Sequence, residues 1–195
     1  MPRPDMRAER IPQIIQAAMA VFARSGFAQT RMEDIAQEAG LSKATLYLYF
    51  PSKDDMIVAI LQNFFDHGFS ELSTLLAADG PVAERLAGWA RQRAQEMQGQ
   101  AAFLGIGFEF YAVAARQEAT RLVLQRYYRQ YVAGLAALIE QGQQRGELRA
   151  ASPHDLAVAL AGSLEGLTLL WMLDPEAIDP ERASEQAVRL LLGAG

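Results

Sequence analysis

The segment LSKATLYLYF, residues 41–50, carries side chains able to bind nucleic acid at near-alternate positions. Lys43 supplies an ammonium group, Thr45 a hydroxyl, and Tyr47 and Tyr49 supply phenols. Such groups donate hydrogen bonds to phosphate oxygens and to acceptors on base edges. The residue types therefore indicate DNA recognition, provided that one rigid element presents them together.

A helix beginning at Lys43 would give this segment two different faces. Leu46 and Phe50 lie four residues apart and form an apolar face, whereas Lys43 and Tyr47 share the same spacing on another surface. A major groove admits one helix, whose N-terminal residues approach base edges and phosphates. The alternative interpretation is a solvent-exposed helix that happens to carry two tyrosines.

The preceding residues predict a short helix joined to this one by a tight turn. Thr30 and Glu33 form a T-x-x-E pattern, which predicts a capping box at the start of the short helix. Gly40 predicts its end, and Ser42 predicts the N-cap of the next helix. Helix, glycine turn and helix at this spacing are typical of a helix-turn-helix unit.

Further helices are predicted on both sides of this unit. The first opens at Pro12 and ends at Gly26, and a connecting helix runs from Lys53 towards Ala78 after the capping residue Ser52. Lys53 combines a cation with the positive end of a helix dipole, which suits a backbone phosphate. The 3.6-residue period continues along the chain and predicts helices near residues 81–97, 101–115, 118–144, 153–173 and 180–192. The predicted fold is all-α, with an N-terminal three-helix head and a C-terminal helical body.

The charge of the chain is unevenly distributed. The 195 residues carry a net charge of −5, which by itself argues against a nucleic-acid-binding protein. Residues 1–53 nevertheless hold seven basic and five acidic residues, and they include Lys43 and Lys53, the only lysines. A mildly basic head on an acidic body is the distribution expected when one end of a protein meets DNA.

Other residue types exclude or disfavour several classes of protein. Without cysteine the chain can form no disulfide, thiolate metal site or cysteine nucleophile, which fits a cytoplasmic location. The charged start MPRPDMRAER disfavours a secretory signal. The apolar run at residues 156–173 contains Glu165 and is shorter than the ~20 residues that span a bilayer, so we expect a buried helix and no membrane partner.

The head resembles a known family. The segments IIQAAMAVFARSGF, TRMEDIAQEAGLSKATLYLYF and PSKDDM, within residues 11–56, are similar to the DNA-binding domain of the TetR family of ligand-responsive transcriptional repressors. The resemblance implies a DNA-binding helix-turn-helix domain at residues 1–52 and a helical ligand-binding and dimerisation domain at residues 53–195. It implies DNA contacts by Thr30, Lys43, Thr45, Tyr47, Tyr49 and Lys53.

Some positions depart from the pattern of the family. Ala44 stands where glycine is common and can reach a thymine methyl group, and Tyr49 stands where histidine is common. Glu33 occupies a position often held by arginine, and we expect it to cap the short helix with Thr30 rather than to read a base. Arg31 then becomes a candidate for phosphate contact.

The resemblance also implies that the last two long helices pair across a two-fold axis to form a homodimer. Ala157, Ala161, Gly162 and Gly166 place small residues along one side of the 153–173 helix, which lets another helix approach closely. Internal packing within one subunit is the alternative. A two-fold dimer would match two recognition helices to a symmetric operator whose half-sites lie about one DNA turn apart.

A ligand pocket is expected among the helices from about residue 81 to 173. Glu109 and Glu165 have apolar helical neighbours, and a buried carboxylate needs a partner. Each either anchors a ligand, which we expect to be hydrophobic or aromatic, or pairs with an arginine or lies at the solvent edge. Aromatic residues at helical spacing equally suit a plain core. The candidate ligand-binding residues are Trp89, Phe103, Phe108, Glu109, Tyr127 and Glu165.

These features predict a sequence-specific DNA-binding regulator, a repressor released from its operator by a small-molecule ligand. An enzyme is one alternative, but His67 and His154 are isolated and no phosphate loop or metal-binding pattern occurs. We therefore expect no catalytic residue, metal or cofactor. The other alternative is a helical ligand-binding or scaffold protein without specific DNA binding.

Overall fold

The structure is a computed structural model that describes residues 6–99 and 101–193. Side chains are described at these positions apart from residues 6–9, 63–67 and 101–106. In this part of the chain the backbone forms helices and no strand, which confirms the all-α prediction. The helices are α1 (Met6–Ser25), α2 (Met32–Glu38), α3 (Lys43–Tyr49), α4 (Lys53–Ala77), α5 (Val82–Gly99), α6 (Ala101–Ala114), α7 (Glu118–Gln144), α8 (Pro153–Leu173) and α9 (Pro180–Leu192).

Capping residues set several helix boundaries where the sequence predicts them. Ser42, Ser152 and Asp179 each accept a hydrogen bond from a backbone N–H in the first turn of the following helix. Pro153 and Pro180 occupy first-turn positions, where the missing N–H leaves no helical bond unmade. These signals are local, which is why the sequence located the starts of α3, α8 and α9.

The predicted start of the first helix is wrong. Helix α1 begins at Met6, so Pro12 lies inside it rather than opening it. An internal proline removes one hydrogen bond to the carbonyl four residues earlier. The segment MRAERI before the proline contains good helix formers, which favour extension of the helix towards the N-terminus.

The predicted capping box of α2 is also wrong, by one residue. Helix α2 begins at Met32 with Arg31 as its N-cap residue. Asp34, not Glu33, accepts the hydrogen bond from the Arg31 N–H, at 2.8 Å. The Thr30 side chain is buried in the core and does not cap α2, so the N-cap position falls one residue later, at Arg31.

The chain divides into two compact units. One comprises Met1–Phe64 and Ala102–Gln125, and the other comprises Phe65–Ala101 and Arg126–Gly195. The division falls inside α4 and inside α7, so both helices contribute to each unit. The domain boundary between residues 52 and 53 stays a prediction.

The core of the second unit is apolar and formed mainly by α5, α7, α8 and α9. Leu86, Leu135, Leu138 and Leu160 are fully buried in it. Helix α9 packs against both α5 and α8. Burial of one leucine side chain contributes roughly 2 kcal/mol, so apolar contact is the main force holding these helices.

Within a single chain, helix α8 is buried at its N-terminal end and exposed at its C-terminal end. Leu156 and Leu160 are buried, whereas Leu170 and Leu173 are 51% and 69% exposed. The prediction of a buried helix is therefore wrong for the C-terminal half of α8. Its 21 residues are long and apolar enough to cross a membrane by length and composition alone, a test that the core helix of a soluble protein also passes.

Candidate nucleic-acid interface and ligand-binding region

Helices α1, α2 and α3 pack around a small apolar core that orients α3. Ile14 and Phe22 from α1, Ile35 from α2 and Leu46 from α3 are at most 1% exposed. Phe50, directly after α3, is also buried. The core therefore takes the predicted apolar face of α3 and leaves its other faces outside.

A glycine closes the turn between α2 and α3. Gly40 has a φ of +64°, a left-handed conformation that is easily reached without a side chain. Its N–H donates to the Gln37 carbonyl at 3.0 Å, and the Leu41 N–H donates to the Ala36 carbonyl at 2.8 Å. These two bonds form a Schellman motif, which ends α2 and directs the chain into α3.

Helix α3 starts at a serine cap that also engages a predicted DNA-binding residue. The Ser42 hydroxyl accepts from the Thr45 N–H at 3.1 Å and lies 2.8 Å from the Thr45 hydroxyl. Because the cap ties the two side chains together, the Thr45 hydroxyl is oriented before any nucleic acid arrives. Its contact with DNA stays a prediction.

The outer surface of α3 carries the other predicted DNA-contacting residues of this helix. Lys43, Ala44 and Tyr47 are exposed, and Tyr49 is half-buried. The Lys43 ammonium lies 5.8 Å from the centre of the Tyr47 ring, a cation–π contact. A cation, a methyl group and a phenol thus share one outward surface, although each DNA contact stays a prediction.

Lys43 forms an ion pair with Glu33 of α2. Their hydrogen bond is the main reason that the pKa of Glu33 is lowered and the pKa of Lys43 is raised. Both groups are therefore charged at neutral pH. Since both are exposed, water and salt screen the pair, and a phosphate can replace the carboxylate. Glu33 pairs with the lysine instead of capping α2.

Thr30 and Arg31 precede α2 in contrasting environments. Thr30 is 2% exposed, and its hydroxyl donates to the Gly26 carbonyl at 2.7 Å. Arg31 is exposed, so its side chain is accessible to a phosphate. The threonine hydroxyl would have to leave the carbonyl before donating to DNA. Neither contact is tested by the geometry, and both stay predictions.

The peptide groups of Phe27, just after α1, are held from two sides. Its N–H donates to Glu109 Oε2 of α6 at 2.8 Å, and its carbonyl accepts from Lys53 Nζ at 2.6 Å. The same ammonium lies 4.6 Å from the Phe27 ring centre. Among the described contacts, the partner of Glu109 is thus a backbone amide rather than an arginine. Lys53 fixes the same turn, and its phosphate contact stays a prediction.

In the second unit, aromatic side chains of α4, α5 and α7 form an aromatic cluster, defined by Phe69, Trp89, Tyr127, Tyr128 and Tyr131. Tyr131 stacks on Tyr127 with ring centres 5.7 Å apart and lies 6.2 Å from Trp89. Tyr127 also contacts Tyr128 at 4.9 Å and Phe69 at 5.6 Å. Burial raises the pKa of Tyr131, so its phenol stays protonated at neutral pH.

Two carboxylates border the aromatic cluster. Glu71 accepts from Trp89 Nε1 at 3.0 Å, and Glu165 accepts from the Tyr128 hydroxyl at 3.1 Å. Arg93 lies 3.7 Å from Glu71. The cluster and its border contain three of the predicted ligand-binding residues: Trp89, Tyr127 and Glu165.

The remaining predicted ligand-binding residues are not part of this cluster. Phe108 and Glu109 belong to the first unit, where the Phe108 ring lies 6.1 Å from that of Tyr111. The Phe103 side chain lies outside the described residues. Sequence reasoning missed Glu71. Its hydrogen-bond donor, Trp89, is 18 residues away, so no local pattern in the sequence indicates the contact. In the described part of the chain, no group of three or more His, Asp or Glu side chains could hold a metal ion.

Known proteins resemble both the head and the body. The sequence pattern of bacterial regulatory proteins of the tetR family matches residues 14–60. The pattern of the C-terminal part of BetI-type transcriptional repressors matches residues 82–193. The HTH-type transcriptional regulator YfiR of Bacillus subtilis (strain 168) is 30% identical over 150 residues, covering 76% of this chain and 73% of that protein. These relatives are regulators rather than enzymes.

Solved structures share the fold along nearly the whole chain. A TetR-family transcriptional regulator from Mesorhizobium loti has a TM-score of 0.79 at 24% identity, covering 96% of this chain and 97% of that chain. A transcriptional regulator from Saccharomonospora viridis, solved in complex with choline, has a TM-score of 0.78 at 23% identity, covering 92% and 94%. These structures show the shared fold, whereas the two sequence patterns and the similarity to YfiR show that this chain belongs to the TetR family of DNA-binding transcriptional regulators.

Proposed function

We propose that this protein is a homodimeric repressor that occupies a two-fold symmetric operator in double-stranded DNA and is released by a small-molecule inducer. The observation that carries the proposal is the α2–turn–α3 unit, which leaves Lys43, Ala44 and Tyr47 outside the core of the head. We assign DNA binding to residues 1–52, and ligand binding and dimerisation to residues 53–195. A regulator of this kind acts in the cytoplasm, beside the DNA, and needs no catalytic activity.

The charged residues of the head supply affinity for the phosphate backbone. Lys43 exchanges the Glu33 carboxylate for a phosphate, and Arg31 offers a second accessible cation. Each phosphate contact releases condensed counterions, so the affinity for DNA falls as salt rises. Base selection then depends on the side chains of α3 that reach the groove.

Dimerisation supplies the second recognition helix. The uncovered half of α8, with Leu170 and Leu173 exposed, offers an apolar surface that a second copy can bury. Among the described residues, nothing lies within 4 Å of a Cβ built at Gly162 or Gly166, so a partner helix can approach closely. Two-fold symmetry would present two α3 helices to half-sites about one DNA turn apart.

The aromatic cluster favours an inducer with an apolar or aromatic surface, and its ring faces can also accept a cationic group. Aromatic faces attract cations, whereas the bordering carboxylates already have partners: Glu71 lies 3.7 Å from Arg93, and Glu165 accepts from the Tyr128 hydroxyl. The choline complex of the S. viridis regulator supports testing this class. The test is a thermal-unfolding titration with choline and with its uncharged isostere 3,3-dimethylbutanol. A larger stabilisation by the uncharged compound contradicts a cationic inducer.

Induction is proposed to be a population shift. An inducer that binds one dimer conformation more tightly would favour spacing of the α3 helices that no longer fits successive major grooves. Helix α4, which contributes to both units, would carry the movement. Inducer and operator must then weaken each other by one common factor. Titrating each in the presence of the other measures both factors, and unequal factors contradict the scheme.

Selection of bound duplexes from a random DNA pool, at moderate salt, tests the DNA-binding proposal. A two-fold symmetric motif is the expected result. The double variant Lys43→Ala, Tyr47→Ala should lose most binding to that motif, whereas Arg91→Ala, an exposed cation of α5, should not. Enrichment of no motif, with affinity that merely falls as salt rises, would indicate the alternative of a helical binding protein without specific DNA recognition.

A further inference from the structure

A large apolar side chain stands on the outside of the recognition helix. Leu48 of α3 is 75% exposed, although Leu46, two residues earlier, is fully buried. At 3.6 residues per turn, Leu48 points about 160° away from both Leu46 and Phe50, the residues that anchor the helix. It therefore occupies the surface of α3 directly opposite the core of the head.

Exposure of Leu48 brings no benefit to the fold. Many polar residues form a helix as readily as leucine, and an exposed leucine gains little of the burial energy that stabilises a core. Ala44, one turn earlier on the same surface, is also exposed and also lacks any hydrogen-bonding group. Ala44 and Leu48 thus form an apolar strip between the polar residues on the two flanks of α3.

The strip lies where the floor of a major groove would be. Hydrogen bonding to base edges needs donors or acceptors, which leucine and alanine do not have. The apolar feature that a base pair presents in the major groove is the C5-methyl group of thymine. A side chain of this kind therefore discriminates by burying a methyl group, while its polar neighbours contact phosphates and base edges.

We propose that Leu48, with Ala44 beside it, determines sequence specificity by contacting the C5-methyl group of a thymine in each half-site. The proposal rests on the DNA-binding function above. It assigns Leu48 to the discrimination of one base and leaves affinity for phosphates to Lys43. The two residues should consequently respond differently when only the methyl group of the DNA is removed.

The test uses the motif selected from the random pool and replaces each thymine in turn by deoxyuridine, which removes only the methyl group. Dissociation constants are measured by fluorescence anisotropy for the wild-type protein and for Leu48→Ala. At one thymine per half-site, deoxyuridine should weaken wild-type binding by about fourfold for one half-site and about fifteenfold for both, from the usual gain on burying one methyl group. The Leu48→Ala protein should show less than about a twofold penalty at the same position.

Two further variants separate methyl contact from general loss of binding. Lys43→Ala should weaken binding to thymine and deoxyuridine duplexes by the same factor, leaving the penalty for methyl removal intact. Leu48→Met keeps an apolar side chain and should keep part of the penalty. Because Leu48 is exposed, its variants should melt at the wild-type temperature.

The outcomes distinguish this inference from the function on which it rests. A symmetric motif whose deoxyuridine penalties are equal in the wild-type and Leu48→Ala proteins overturns the role of Leu48 and leaves the regulator intact. Enrichment of no motif overturns the proposed operator binding, and the inference with it. A penalty lost at one thymine in Leu48→Ala and retained in Lys43→Ala supports the inference.

Discussion

Lys43 can meet two anions, a carboxylate of its own chain and a phosphate of DNA. The ion pair with Glu33 holds the ammonium near α2 in the free protein. Because the pKa of Glu33 is lowered, the carboxylate stays charged as pH falls until below the usual range for glutamate. The pair is therefore complete at neutral pH, and DNA has to compete with it. If Lys43 binds a phosphate as proposed, Glu33 should therefore limit the affinity for DNA without touching a base.

Replacing Glu33 by glutamine should tighten DNA binding. Glu33→Gln removes the competing charge, so we expect affinity at low salt to rise by up to roughly fivefold, the scale of one exposed ion pair. The plot of log Kd against log salt should steepen by up to about 0.9 for each additional phosphate that the protein neutralises. Fluorescence anisotropy over a salt series measures both quantities.

Glu38→Gln is the matched control for this change. It removes the same charge from the same helix, but Glu38 pairs with Arg24, at 3.1 Å, rather than with Lys43. Its effect should be smaller. Equal effects of the two variants would mean that overall charge, and not release of Lys43, governs affinity.

Glu109 holds the turn after α1 through one hydrogen bond to the Phe27 N–H. Glu109→Ala leaves that donor without its acceptor, so the free energy of unfolding should fall by about 1–3 kcal/mol. Glu109→Gln keeps a carbonyl acceptor and should lose less. Urea denaturation measures the loss, and amide hydrogen exchange at Phe27 should accelerate in the alanine variant. An unchanged exchange rate at Phe27 would argue against the bond.

At the scale of elements, glycines in the helices of the second unit serve different purposes. Gly142 of α7 lies against the core: a Cβ there would be 2.6 Å from Leu148 Cδ1 and 3.1 Å from Val82 Cβ. At Gly88 of α5, no atom of the residues that the structure describes lies within 4 Å of the same position. Close approach of α7 to its neighbours therefore requires the first glycine, whereas only the lower helix propensity distinguishes the second from alanine.

Alanine at these two glycines should change stability in opposite directions. Gly142→Ala forces Leu148 or Val82 to move and should lower the free energy of unfolding by about 1–3 kcal/mol. Gly88→Ala should raise it by about 0.5–1 kcal/mol, because alanine loses less conformational entropy in a helix. Urea denaturation with a common m-value checks both. Stabilisation by Gly142→Ala would contradict this explanation, because it would show that a methyl group fits between α7 and Leu148.

At the scale of the whole molecule, α8 is apolar beyond what one chain covers. Leu156 and Leu160 are part of the core of the second unit. Leu169, Leu170 and Leu173, nearer the end of the helix, are exposed and lie outside that core. Large exposed apolar patches mark surfaces that bind another protein or a membrane. Membership in a family of DNA-binding regulators favours a second copy of the chain as the occupant.

Leu170→Glu should therefore dissociate the dimer. A two-fold interface loses two leucine side chains, each contributing roughly 1.5–3 kcal/mol when buried, so the dimer Kd should rise by more than about a hundredfold. Light scattering after size-exclusion chromatography measures the mass of the particle. Leu122→Glu is the control, because Leu122 is 49% exposed on α7 and Leu170 is 51% exposed. A dimer that survives Leu170→Glu but not Leu122→Glu would place the interface elsewhere.

The sequence by itself determined the features that depend on neighbours along the chain. Helix caps and left-handed glycines act within one helical turn, so the sequence predicts their effects. Examples are the caps Ser42, Ser152 and Asp179 and the left-handed Gly40. The apolar spacing of Leu46 and Phe50 likewise selected the buried face of α3. Helix identity, most boundaries and the helix-turn-helix followed from these local rules.

Only the tertiary structure decided how side chains pair over distance. The partner of Glu109 lies 82 residues away, in the turn after α1, and no periodicity links the two. Glu33 pairs with Lys43 instead of capping α2, because folding of the turn brings the two exposed charges together. Burial of Thr30 in the packed head was likewise decided by the tertiary structure, although its hydroxyl donates to a carbonyl only four residues earlier, that of Gly26. Hydrogen bonds and ion pairs depend on distances in space, and those exist only after the helices have packed.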